Sequence, residues 1–332
     1  MLSLHTSLVA LVAGFASAGL YVVGLGGSIW GVFLVLVSPL PIYIAGMKWG
    51  SLAAGAGGVF AVMGSIVFSD LLIATVFSFA FVMPAFLLVH LATTRIAGDD
   101  DNPVYLDATD LTLALVVIGI LMVIVTVMAI SLTQAGLVGT IRSNLSLLTE
   151  ALYGARSNHG PDMVTDVADI IDFWDSPVLG FIIAAVLSAH VAMGALGQGL
   201  VNSSSTPIRT APPFWRLSLP TWPTLVALIL VVVILGLDTM SYDREGTPAL
   251  LIFTLTGFFL VFCVGFLLQG LAVLHALTRG MGWQPLILVG AYMTVLILQP
   301  FGAMAFAAVG FVDHWANFRG RFGVADDAAM ED

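Results

Sequence analysis

His190 lies near the middle of the apolar run Val178–Gly197. An ionisable side chain at membrane depth is costly and usually faces a bundle interior or a cavity. An imidazole there suits either of two roles: a proton relay or substrate contact, or a neutral ring hydrogen-bonded to a neighbouring helix. Ser188 and Gln198 are its nearest polar residues along the chain. Three prolines also interrupt apolar runs, Pro39 and Pro41 in one and Pro84 in another. Each removes a backbone donor, which predicts a kink or an opened helix lining protein or a cavity. His190, Pro39, Pro41 and Pro84 are therefore the candidate substrate-binding residues.

Other polar residues stand at the ends of the apolar runs: Asp70, His90, Gln269, His275, Asp313 and His314. Four of them, His90, His275, Asp313 and His314, fall near one membrane face in the topology below. They either gather there as a coordination or proton site or serve as caps and interfacial anchors. The acids Asp162, Asp166, Asp169, Asp172 and Asp175 fit a cation or a basic partner, or simply a solvated helix face. The phosphate-binding pattern Gly-x-x-x-x-Gly-Lys-Ser/Thr is absent, and Lys48, the one lysine, precedes Trp49. His-Glu-x-x-His and Gly-x-Ser-x-Gly are missing as well. The expectation is a non-enzyme without cofactor or metal, which needs a separate ATPase or an ion gradient if it drives transport. Lone Cys263 lies in an apolar run and supports neither a disulfide nor a thiolate metal site.

The elements that must position these residues are membrane helices. Of 332 residues, 59% are hydrophobic and 9% charged, with a mean hydropathy of +1.06. Soluble domains carry about 25% charged residues, so this chain lacks the polar surface to cover itself in water. Apolar runs of roughly 18 residues or more recur, without the alternation of a transmembrane barrel. The fold class is all-α, a polytopic bundle of nine or ten spans in one integral membrane domain over residues 1–322. The net charge of −10 argues against nucleic acid as a partner and leaves the lipid bilayer as the main one. The first twenty residues include Ala16-Ser17-Ala18 but no Lys or Arg, so they read as a membrane helix and not a signal peptide.

The predicted spans are Leu8–Leu25, Ile29–Ala45, Ser51–Phe68, Leu71–Leu91, Leu111–Leu132, Val178–Gly197, Leu225–Leu237 and Pro248–Leu274. Residues 134–176 read as an extramembrane amphipathic insertion, and 323–332 as a disordered acidic tail. The last run, Gln284 to Phe322, is broken at Gln299-Pro300. With the N-terminus inside, Lys48, Arg95, Arg209, Arg216 and Arg279 fall on inner loops, and Arg142, Arg156 and Arg244 on outer ones. A chain that turns back at Pro300 adds Arg319 and Arg321 to the inside, as the positive-inside bias prefers.

The closing order resembles the C-terminus of the YybS-like predicted membrane proteins, a family of unknown function. It consists of an apolar span, a Gln-Pro break, a small-residue span, then Gly310-Phe-Val-Asp313-His-Trp315 and Phe318-Arg319-Gly-Arg321. Ser38-Pro39-Leu-Pro41, Gly46-Met-Lys48-Trp-Gly50 and Met83-Pro84 fit the same pattern. That family is similar, distantly, to the substrate-binding S-components of energy-coupling-factor transporters. The resemblance implies a bacterial inner-membrane protein that binds or transports a small molecule. It also implies that the small residues Ala10, Gly14 and Ala18 dock a membrane or ATPase partner, although internal helix packing explains the same ridge. The alternative function is a non-transporting scaffold that binds a partner through the insertion or the tail.

Overall fold

The computed structural model describes residues 3–26, 28–98, 103–132, 178–204, 207–240 and 247–321. The expected insertion, the acidic tail, Arg142, Arg156 and Arg244 lie outside the described residues. Among these, eight helical stretches are long and apolar enough to cross a membrane, and the fold is all-α apart from one short β-pair. The helices are α1 (Leu4–Gly24), α2 (Ile29–Val37), α3 (Leu40–Trp49), α4 (Ser51–Phe68), α5 (Leu71–Phe77), α6 (Met83–Thr93), α7 (Ala108–Ser131), α8 (Val178–Ser204), α9 (Thr221–Met240), α10 (Thr247–Leu277), α11 (Gln284–Ile297), α12 (Phe301–Ala316) and α13 (Phe318–Arg321). A π-helical turn, Ser78–Val82, joins α5 to α6.

Local chemistry sets these boundaries. Ser3, Ser28 and Asp70 cap α1, α2 and α5, each accepting a backbone N–H of the first turn. Gly50, at φ 91°, divides α3 from α4 in a conformation that favours glycine. The second predicted span breaks at Ser38-Pro39. Proline at 39 removes the donor that would serve the Val35 carbonyl, and the Ser38 hydroxyl donates to it instead at 2.7 Å. The Ser38 carbonyl in turn accepts the Ser17 hydroxyl of α1. Both serines are fully buried, and their hydroxyls serve the carbonyls at the break between α2 and α3.

Close packing divides the chain into two compact units. The first comprises residues 1–118, 185–219 and 265–332. Its N-terminal part is built on α1 against α4. A Cβ at Gly14 would strike the Gly57 carbonyl and lie 2.8 Å from the Ala61 nitrogen, and one at Gly64 would lie 3.0 Å from the Ala18 Cβ. Ala10 and Ala18 are 0% exposed. The ridge Ala10/Gly14/Ala18 is thus an internal packing surface covered by α4, not a face presented to a partner. Without a hydrophobic drive between helices in lipid, such close backbone approach is what holds them together. Tyr21 of α1 adds a stacked contact with Phe77 of α5, ring centroids 4.3 Å apart.

The second unit comprises residues 119–184 and 220–264. Its described helices meet through glycines too. A Cβ at Gly257 would lie 2.9 Å from Val123 Cγ1, and one at Gly180 would lie 3.1 Å from the Gly257 Cα.

In the first unit, the run from Gln284 divides into α11 and α12 at a turn containing the cis Gln299–Pro300 peptide. The course of this pair is fixed by one residue. Arg279, before α11, stacks on the Trp215 indole with its guanidinium carbon 4.3 Å from the ring centroid. Arg319, after α12, donates to the Trp215 carbonyl at 3.2 Å. Both ends of the stretch meet the same residue, so the chain goes out and returns, as the arginine count predicted. α12 also crosses α10 at backbone contact. A Cβ at Gly310 would strike the Phe266 carbonyl and lie 2.6 Å from the Gly270 nitrogen, and one at Gly270 would strike the Phe306 carbonyl.

That crossing makes a testable contrast. Gly270→Ala inserts a methyl group between two backbones and is expected to cost about 1–3 kcal/mol. Nothing lies within 4 Å of a Cβ at Gly290 of α11, so Gly290→Ala should be neutral or gain up to ~1 kcal/mol of helix propensity. Thermal unfolding in detergent reads both, and equal effects would contradict the crossing.

Candidate functional site

Pro84 is where the site begins. A proline supplies no N–H to the carbonyl four residues earlier, which here belongs to Ala80, inside the π-helical turn Ser78–Val82. His190 of α8 fills that vacancy: its Nε2 lies 2.9 Å from the Ala80 oxygen. A carbonyl only accepts, so Nε2 carries the proton and Nδ1 is left as an acceptor. The Tyr43 hydroxyl of α3 stands 3.0 Å from Nδ1 and donates to it. His190 is 1% exposed and Tyr43 1%, with Phe81 packed 6.0 Å from the imidazole, centroid to centroid. The imidazole is neutral, singly protonated and fully engaged, and it joins three predicted spans. Of the two roles open to it in the sequence, the geometry is that of the hydrogen-bonded ring.

The same π-helical turn forms one wall of a cleft against α4. A cavity of ≈ 580 Å³ is lined by Gly55, Gly58, Val59, Ser78, Val82 and Phe86, among others. A second, of ≈ 250 Å³, is lined by Val62, Ile66, Leu71, Ala74, Thr75 and Phe79, and both share Val62, Ser78 and Met83. Val59, Met63 and Leu71 on the rims are 60%, 54% and 69% exposed, so the cleft opens along one side. Its walls are apolar except for the hydroxyls of Thr75 and Ser78, and Thr75 already donates to the Leu71 carbonyl. Glycines at 55 and 58 leave the room, because a Cβ at Gly58 would lie 2.8 Å from Val82 Cγ1. Neither cavity is lined by His190, Pro39, Pro41 or Pro84. His190 and Pro84 adjoin the turn outside the cavities, and Pro39 and Pro41 lie apart at the break between α2 and α3.

A second polar cluster closes one end of the first unit. The loop between α8 and α9 runs across it, tied by Ile208 N–H to the Met47 carbonyl and by the Tyr105 hydroxyl to the Ile208 carbonyl. Arg209, 9% exposed, donates to the carbonyls of Ala92 at 2.9 Å and Leu106 at 2.8 Å. Burial lowers its pKa, opposed by Tyr105 and Asp107, and guanidinium stays charged in either case. Gln198 donates to the Arg209 carbonyl. Farther along, Asp313 is 7% exposed and accepts from Arg319 at 3.1 Å, from Gln269 at 3.3 Å and from the Phe318 N–H at 3.0 Å. Gln269 accepts the Leu219 N–H at 3.1 Å. Asp313 therefore ties α10, α12 and the segment after α12 together near the end of α12.

The three histidines considered for coordination with Asp313 have other neighbours. His275 pairs with the Tyr292 hydroxyl at 2.9 Å, His90 stacks on Phe86 and His314 packs on Trp315. Among the described residues no group of three or more His, Cys, Asp or Glu can hold a metal ion. Tyr43, the Ala80 carbonyl and Trp215 escape a reading by residue type. The signals for the first two were present, a tyrosine within an apolar helix and a proline four residues past a carbonyl.

No family model, curated protein or solved structure matches the chain.

If His190 serves the carbonyl that Pro84 releases, the two residues must be coupled. His190→Ala strands the Ala80 carbonyl and the Tyr43 hydroxyl, at about 1–3 kcal/mol for each buried group. In a Pro84→Ala background a backbone N–H is again present at position 84, so the same substitution should cost less. Chemical or thermal unfolding of the four proteins of this cycle is expected to give a coupling of about 1 kcal/mol. Strict additivity would show that His190 does not act through that carbonyl.

Proposed function

We propose that this multi-pass membrane protein binds a small apolar or weakly amphiphilic molecule in the cleft between α4 and the π-helical turn. The observation that carries this reading is the cleft itself: an open, glycine-relieved, apolar space beside an irregular turn, a feature frequent at functional sites. Its rim lies within two predicted spans, so the ligand reaches it from the bilayer. Thr75 and Ser78 offer at most a polar contact or two, which suits a hydrophobic molecule with one polar end. His190 acts in this reading as a positioning residue that holds the turn in shape.

The protein is read as a transport or binding component of a bacterial inner membrane, without enzymatic activity. Its resemblance in pattern to YybS-like proteins, a family itself distantly similar to S-components, supports that role. Energy for movement across the membrane would come from a partner ATPase or an ion gradient. Every described Lys and Arg (Lys48, Arg95, Arg209, Arg216, Arg279, Arg319, Arg321) belongs to the elements joined at the end closed by the Arg209 and Trp215 contacts. The positive-inside rule makes that end cytoplasmic, together with the C-terminal tail.

Two measurements test this. A thermal-shift screen of apolar and amphiphilic compounds should find a ligand whose stabilisation disappears in Val59→Trp, which fills the cleft from its exposed rim. A ligand whose shift survives Val59→Trp would remove the site, and a screen without any shift would favour the scaffold. Topology reporters fused after Arg321 and after Tyr242 should report inside and outside, respectively; an outside signal after Arg321 would overturn the orientation.

A further inference from the structure

The two cavities of the cleft differ in what they offer a ligand. Both cleft hydroxyls, Thr75 and Ser78, line the smaller one, whereas the larger shares only Ser78 and is otherwise lined by apolar side chains and glycines. Hydroxyls in membrane helices commonly donate to a carbonyl one turn back. Thr75, Thr254, Thr278 and Thr294 do so here. Ser78, the first residue of the π-helical turn, does not. Its hydroxyl is half-buried and has no hydrogen-bond partner among the described residues. A polar group left so in an apolar wall gains from a partner that the ligand brings. Thr75, one turn away, has given its proton to the Leu71 carbonyl and keeps lone pairs to accept. A donor and an acceptor side by side suit a hydroxyl, which accepts from one and donates to the other.

The cleft also has a direction. α4 begins at the end where Ile208 meets the Met47 carbonyl and Arg209 meets the Ala92 carbonyl, and α5 begins at the opposite end. Gly55 and Phe86 line the cavity nearer the basic end, and Ile66 and Leu71 line the other. From Gly55 to Ile66 the helix advances about 16 Å, close to half of a hydrocarbon core of roughly 30 Å. That is the reach of one acyl chain. The hydroxyls thus stand toward the far end and the chain space toward the basic one.

Charge narrows the ligand further. Among the described residues of the first unit, Asp70 is the only charged side chain at the far end, where it accepts the Ile73 N–H and meets no cation. An anionic head would face that carboxylate. A cationic head would find no counter-ion inside, because neither cavity is lined by a charged residue. Either charge is costly to bring into an apolar space.

We propose, on the basis of the cleft described above, that its occupant is a single-chain amphiphile with an uncharged hydroxyl head. The head pairs with Ser78 and Thr75, and the chain lies along Gly55, Gly58 and Phe86.

Photoactivatable probes of one chain length, ending in a hydroxyl, a carboxylate or an ammonium, test this with the full chain in phosphatidylcholine nanodiscs. The alcohol should label residues of α4 and the π-helical turn on the order of tenfold more strongly than either charged probe, given the cost of burying a charge. Ser78→Ala should lower labelling by the alcohol about three- to tenfold, as for one hydrogen bond, and leave a matched alkane probe unchanged. Asp70→Asn, which retains a helix cap, should raise labelling by the carboxylate. A photolabel at the chain end should mark Gly55 or Phe86, and one beside the head Leu71 or Thr75; the reverse order would overturn the proposal. So would equal labelling of the cleft by all three heads, or an alcohol signal indifferent to Ser78→Ala, with the cleft itself left standing as a binding site. Labelling that survives Val59→Trp, or none in the cleft by any probe, would remove the cleft and the proposal together.

Discussion

A carbonyl inside a bilayer has no water to turn to, and each proline in a spanning helix releases one. Pro39 and Pro84 each meet that constraint through a nearby polar side chain. The Val35 carbonyl is served by Ser38, and the Ala80 carbonyl by His190. The second solution reaches across the first unit, from α8 to the turn between α5 and α6, and ends at Tyr43 on α3. What lies on the other side of the turn depends on it, because Ser78 and Val82 wall the cleft while Ala80 faces the imidazole. A break in one helix thereby acquires a fixed shape and one wall of a cleft.

The spans were legible in the sequence because lipid demands long apolar runs and polar stops. Ser51–Phe68 appears as read, and the break expected at Pro300 from the arginine count separates α11 from α12. The same logic placed Ala10, Gly14 and Ala18 on one face, but small-residue spacing does not say which helix fills the face; α4 does. His190 was noticed for its depth, yet the hydrogen-bond partner that defines its tautomer is a backbone oxygen 110 residues earlier. Backbone acceptors have no letter in a sequence. The cleft was hidden for a similar reason: Gly55, Gly58, Ser78 and Phe86 are ordinary membrane-helix residues until a π-helical turn sets them around a space.

The loop from 207 to 219 illustrates how a segment rich in proline and arginine becomes structure. Leu217 and Leu219 are 1% and 5% exposed, and the polar groups between Ile208 and Leu219 find partners on α3, α6 and α10. Read by composition it is a linker, since nothing local specifies its contacts. Its order comes from acceptors that helix ends leave unsatisfied, the Met47 and Ala92 carbonyls among them.

The returning pair at the C-terminus has a consequence for the surrounding lipid. α11 and α12 contain 14 and 16 residues, about 21 and 24 Å of helix, against a hydrocarbon core of roughly 30 Å. Their shared tip is apolar and bare: Ile297 is 72%, Leu298 55% and Phe301 72% exposed, and Gln299 turns its amide back to the Val295 carbonyl. Such a tip is at home among acyl chains, not among headgroups. A bilayer of ordinary thickness would meet such a tip by thinning beside the hairpin, by snorkelling of its flanks or by association with another helix. Where thinning is the response, the hairpin would carry an elastic preference for thinner bilayers.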